Sequence, residues 1–69
     1  MTTVHVYLSN ENVDVWRPVD AKDEGNLVYR LADTPAPDDE VWEFPPGSRV
    51  RCEWRDLGNG PILAAVGLA

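Results

Sequence analysis

The chain has a single cysteine and a single histidine. With Cys52 alone no internal disulfide can form, and with His5 alone no Cys/His cluster exists to hold a structural zinc ion. No stretch approaches the roughly 20 apolar residues that a transmembrane helix requires. The opening MTTVHVYLSN has neither a basic region nor a long apolar run, which argues against a signal peptide. A lone thiol and no leader make the cytoplasm the expected location. Basic residues are also scarce: six stand against twelve acidic ones, for a formal net charge of −6. A field of that sign repels phosphate backbones and anionic lipid surfaces. Nucleic-acid binding through a broad basic face is therefore disfavoured, as is a membrane surface. Solubility, and a partner that is neutral or basic, are what the charge favours.

Helix signals are scarce too. Six prolines and five glycines punctuate the 69 residues, and no long segment repeats every 3.6 positions. What the chain has is strand alternation. Thr3 to Ser9 places Val4, Val6 and Leu8 on one face and His5 and Tyr7 on the other. Asn10 to Asn12 reads as a turn. Val13 to Asp20 is a second strand, with an edge or bend at Pro18, which cannot donate to a ladder. Ala21 to Asn26 reads as a polar turn and Leu27 to Ala32 as a third strand. Asp33 to Glu40 is an acidic, proline-stiffened loop. Trp42 and Phe44 follow on one face, and Pro45-Pro46-Gly47 makes a sharp turn. Ser48 to Arg55 is a fourth strand, with Val50, Cys52 and Trp54 opposite Arg49, Arg51, Glu53 and Arg55. Gly58-Asn59-Gly60 signals a hairpin into Pro61 to Gly67, a strand apolar on both faces.

Hydrophobic residues make up 43 % of the chain, enough for a globular fold rather than a disordered one. A domain of this length buries only about 60 % of the surface its unfolded chain exposes, so its stability is modest. About five short strands joined by turns predict one all-β domain, a five-stranded antiparallel barrel of the SH3-like type. An OB-like barrel is the alternative, but it usually takes a longer chain. Parallel pairing is not expected, because no long crossover is available. The terminal PILAAVGLA either closes the barrel against the first strand or lies at an edge as a dimer seam. A monomer or a weak homodimer follows.

One resemblance runs through most of the chain. Val15-Trp16-Arg17-Pro18-Val19, Val28-Tyr29-Arg30, Trp42-Glu43-Phe44 and then Gly47, Val50 and Cys52 resemble a pattern in small single-domain bacterial proteins. That likeness implies an SH3-like barrel. It carries no catalytic residue over to this chain. The aromatic and acidic pairs of proline-binding modules of that fold are not evident here, so recognition of that kind is not implied.

Candidates for chemistry are poor. Catalysis needs a nucleophile or an acid/base group held near a partner. Cys52 lies between Val50 and Trp54 on an apolar face and reads as a buried small hydrophobe. His5 has no recognisable orienting partner. Asp38, Asp39, Glu40 and Glu43 lack the alternation and the bend glycine of a calcium loop, and read as a solvated acidic loop. No catalytic residue, no metal and no cofactor is expected. Binding offers more. An aromatic patch of Trp16 with Tyr7, Tyr29 and Trp42 would suit a protein partner. A stripe of Arg49, Arg51 and Arg55 would suit a small anion or a nucleic acid, unless the arginines pair across strands with acidic residues.

Trp16 is the ambiguous residue. Alternation sets it among Asp14, Pro18 and Asp20, on the polar face of its strand. Either it is an exposed anchor, or the strand twists at Pro18 and the indole covers one open end of the barrel. Trp54 shares its face with Val50 and Cys52 and reads as core. The expected function is a non-enzymatic protein-interaction module. The alternatives are an acidic, immunity-type inhibitor that masks a cationic partner, and an anion or nucleic-acid module built on the arginine stripe.

Overall fold

A computed structural model of the chain describes residues 2–9, 15–35, 38–56, 58 and 60–69. Five strands form one closed barrel: β1 (Thr2–Tyr7), β2 (Trp16–Asp23), β3 (Val28–Leu31), β4 (Arg49–Asp56) and β5 (Pro61–Leu68). No helix among these residues is long and apolar enough to cross a membrane. The all-β barrel is the one expected, compatible with a small SH3-like or OB-like fold. The turn expected at Asn10 to Asn12 lies outside the described residues, as do Val13, Asp14 and Asn59.

Consecutive strands pair antiparallel all the way round, from β1–β2 to β4–β5. The ring closes between β1 and β5, at His5 and Ala64, and that pair is parallel. The expectation of no parallel pairing is corrected here. A crossover is needed only between strands that follow one another in sequence. In a meander of five, the first and last strands run the same way, so closing the ring makes a parallel pair without any crossover. β5 thus closes the barrel rather than lying at an edge.

Alternation fills the core. Val4, Val6, Val19, Ala21, Leu31, Val50, Cys52, Leu63 and Ala65 point inward and are buried. β2 runs on through Ala21-Lys22-Asp23, where a polar turn was expected, because Ala21 continues the inward series of Val19. The turn falls at residues 24–27 instead, closed by Glu24 N donating to Val28 O and Val28 N to Gly25 O. Val66 is an extra residue on β5, opposite the Arg51–Cys52 step, and makes a bulge there.

Pro18 fits β2 for a reason visible in the ladder. Leu8 N donates to Val15 O, so alternate pairs from there are the hydrogen-bonded ones and His5–Pro18 is not. The backbone of Pro18 faces away from β1, and β3 begins to pair with β2 only at Ala21. Its missing N–H therefore costs no ladder bond.

The long segment between β3 and β4 packs against the end of β1. Ser9 N donates to Val41 O and Glu43 N to Tyr7 O, and Leu8 bridges Trp42. This holds Phe44 in the core although it lies in no strand. The segment ends in a tight turn, in which Ser48 N donates to Pro45 O and Gly47 takes φ +83°. Proline followed by a residue of positive φ is the pattern of a type II turn.

Candidate functional site

The expected aromatic patch does not assemble as a unit. Tyr7 and Trp16 do meet: they are register partners, with ring centroids 5.4 Å apart and an interplanar angle of 65°. Their pair is one of the non-hydrogen-bonded ones, where opposed side chains come closest. Both lie on the outer face and are half-buried. Tyr29 belongs elsewhere. It lies inside the barrel with Leu31, only 6 % exposed, and burial pushes its phenol upward. The aromatic patch including Tyr29 is therefore corrected: β3 is four residues long, and its alternation gives Tyr29 to the core.

Trp42, not Trp16, has the character of a barrel plug. It packs against the core cluster, and its indole Nε1 donates to Glu40 Oε1 at 3.0 Å. Trp16 is not among the residues packed on that cluster. The outward face that alternation assigns to Trp16 is thus kept, and no twist at Pro18 turns it inward. Glu40 ties the plug to β2, accepting from Arg17 Nε at 3.0 Å and Nη2 at 2.5 Å. The hydrogen bond from Arg17, then that from Trp42, holds the Glu40 carboxyl below the usual carboxylate range. Its contribution to stability is therefore complete above that range and is lost as the pH falls through the lowered value. The Trp42 indole N–H resonance is expected to hold steady from neutral pH downward and then move as Glu40 is protonated. Glu40→Gln should abolish that acid step, and an unchanged step in the variant would assign it to another carboxyl.

The most exposed aromatic is one expected in the core. Trp54 is 61 % exposed. Its parity is that of Val50 and Cys52, but β3 no longer flanks β4 at that level. The β3–β4 register ends at Val28 opposite Arg51, and the last backbone bond runs from Cys52 N to Leu27 O. Among the described residues, β4 from Glu53 to Asp56 pairs with β5 alone. Even-numbered residues of β4 turn their backbone groups towards β3, so Trp54 and Asp56 present theirs along a free edge. Trp54 overhangs the end of the barrel beside that edge.

Leu27 lies at the same end of the β3–β4 pairing, opposite Cys52. It is 40 % exposed and takes φ +62°. The left-handed region costs a residue other than glycine about 1–2 kcal/mol, and a branched aliphatic gains nothing local in return. An exposed, strained leucine beside an exposed tryptophan is poor design for stability alone. Leu27→Asn is expected to raise stability by about 1 kcal/mol, because asparagine tolerates this conformation. Denaturant unfolding checks it, and a loss of stability would show that Leu27 contributes packing that outweighs its strain.

The arginine stripe is divided. Arg49 Nε donates to Glu24 at 2.6 Å, and Arg55 Nη2 to Glu53 at 3.4 Å. Arg51 has no acidic partner among the described residues. Cys52 is 1 % exposed, and burial pushes its thiol up to about 11. Among the described residues no group of His, Cys, Asp and Glu is placed to hold a metal ion.

No family model, no curated protein and no solved structure matches this chain. The reading of the site therefore stands on its own geometry. Sequence alternation missed Trp54 and Leu27 because it assigns a face without saying how far the neighbouring strand extends. A signal was present: the polar Asp23-Glu24-Gly25-Asn26 run ends the cover on β4 before Trp54.

Proposed function

We propose that this chain is a non-enzymatic protein-interaction module. It takes an extended segment of a neutral or basic partner along the free edge of β4, with Trp54 as the anchor. The observation that carries this reading is a tryptophan 61 % exposed beside unpaired strand backbone. Adding a strand to a free edge draws affinity from main-chain hydrogen bonds and specificity from side-chain contacts. Trp is among the residues most often found as an interface anchor. The rim supplies a sign of charge: Asp23, Glu53 and Asp56 are all exposed near this end, with Arg55 engaged by Glu53. The buried, raised Cys52 thiol and the solitary His5 support a role without catalysis. The likeness to small bacterial proteins of SH3-like fold, a cytoplasmic location and a monomer or weak homodimer all sit with this reading.

The test is affinity capture from a native lysate by wild type, Trp54→Ser and Trp16→Gln, each first shown to be folded. A partner kept by wild type and Trp16→Gln but lost by Trp54→Ser supports the β4 edge. Loss by Trp16→Gln alone would move the site to the Tyr7–Trp16 pair. A second reading, the immunity-type inhibitor, is favoured by the exposed Asp38, Asp39 and Glu43 of the β3–β4 loop. Salt separates the two. An inhibitor steered by opposite charge loses on-rate steeply as ionic strength rises, whereas strand addition anchored by an indole does not.

A further inference from the structure

The outer face of β2, β3 and β4 carries a feature that edge binding does not use. Lys22 lies opposite Arg30, and Arg30 lies opposite Arg49. Arg51 follows two residues along β4 on the same face. Four of the chain's six cations therefore share one face of a protein whose net charge is −6. Like charges directly opposite one another destabilise a sheet. Only one acid among the described residues is bonded to this row. Glu24 accepts from Arg30 Nε at 3.3 Å with one oxygen and from Arg49 Nε at 2.6 Å with the other. The terminal Nη groups of both guanidinium forks make no hydrogen bond to another described residue. Lys22, like Arg51, has no acidic partner among the described residues.

The row borders an open cleft of about 480 Å³. Lys22, Arg30, Gly47 and Ser48 line it, together with Asp33, whose carboxylate lies against Gly47. The Ser48 hydroxyl makes no hydrogen bond to any described residue.

We propose that this cleft binds the phosphate group of a small soluble molecule, held by Lys22 and by the Nη groups of Arg30, with the Ser48 hydroxyl as an added donor. A phosphate carries about −1.5 to −2 charges and three acceptor oxygens, which suits two cations and a hydroxyl better than a single carboxylate does. Guanidinium forks are the usual partners of such oxygens. The strongly acidic remainder of the surface opposes a long polyanion but leaves room for a ligand that fits one cleft. Asp33 lines the same cleft, and its carboxylate opposes an anion there. The site lies at the opposite end of β4 from Trp54, so it is independent of edge binding.

The test is a titration of the whole chain with sodium pyrophosphate at fixed ionic strength, followed by backbone amide resonances. Saturable shifts centred on Arg30, Gly47 and Ser48 are expected. Lys22→Gln, which removes no ion pair, should weaken binding at least about tenfold, since charge-assisted bonds to phosphate are lost. Asp33→Asn should tighten it. Shifts that grow without saturating, or equal affinity in wild type and Lys22→Gln, would overturn the proposal. So would retardation by a single-stranded DNA oligonucleotide, or sedimentation with anionic vesicles, that pyrophosphate fails to compete away.

Discussion

Replacing Trp54 by serine is expected to weaken partner binding about 30-fold or more while leaving the fold nearly as stable as before. Truncating an interface anchor costs about 2 kcal/mol or more, and each 1.4 kcal/mol is about a factor of ten. The ring is 61 % exposed in the free protein, so little of it has left water on folding. Surface truncations away from buried networks stay within about 0.5 kcal/mol, and the partial contact here raises that to about 1 kcal/mol. The measurement is titration calorimetry with the purified partner, alongside denaturant unfolding of the same variant. Asp56→Pro, set against an Asp56→Ala control, isolates the backbone part of the mechanism, because the control alone accounts for the lost carboxylate, which accepts from Gly58 N at 2.8 Å. Residue 56 turns its N–H to the free edge, and a proline there removes a donor that strand addition would use, without touching the indole. Loss of affinity in both variants supports strand addition. Full affinity in Trp54→Ser would remove this edge from the account.

The strands were legible because alternation is a backbone property that survives any tertiary context. Val4 and Val6 of β1, Leu8 just beyond it, and Val50 and Cys52 of β4 are all buried, as their spacing requires. Trp16 follows the same rule, and its outward position is what simple alternation predicts. The failures share one cause. Alternation gives a side chain a face, but burial also needs a neighbour on that face. Trp54 has inward parity and no strand beside it. Tyr29 has inward parity on a short strand, with neighbours on both sides, and is buried. The parallel closing pair was missed for a related reason, since it depends on the number of strands rather than on any residue. The cation row was partly legible. Arg49, Arg51 and Arg55 were visible as a stripe along β4, but the contribution of Lys22 and Arg30 comes from cross-strand register, which no single strand contains. Register also shows why Arg55 drops out, for it lies at the far end of β4 and is engaged by Glu53.

Phe44→Ala is expected to have the largest effect of any single truncation outside the strands. A buried phenylalanine reduced to alanine costs about 3–5 kcal/mol. A domain below about 70–80 residues rarely draws more than about 3–5 kcal/mol from its core, so the variant should lie near or past its unfolding midpoint in water. The position of Phe44 makes the loss hard to absorb. It reaches the core from the β3–β4 segment, whose middle is tied to the barrel among the described residues by the bridge of Leu8 to Trp42 and the bonds to Tyr7 and Ser9, and whose ends are tied by Ala32 N to Asp20 O and Leu31 N to Ser48 O. Without the ring, that segment loses the one side chain that it places in the core cluster among the described residues, and Trp42 loses the anchor next to it. Trp16→Ala gives the contrast. Trp16 makes an outer-face aromatic contact, and such a pair contributes about 0.5–1.5 kcal/mol beyond the area it buries. Near-UV circular dichroism and denaturant unfolding of the two variants measure the difference. A cooperative, well-folded Phe44→Ala together with an unfolded Trp16→Ala would reverse the assignment and make Trp16 the residue that closes the barrel. The expected order follows from insertion: a ring inside the cluster holds the segment that carries it, whereas a ring on the outer face only reinforces two strands already paired by their backbones.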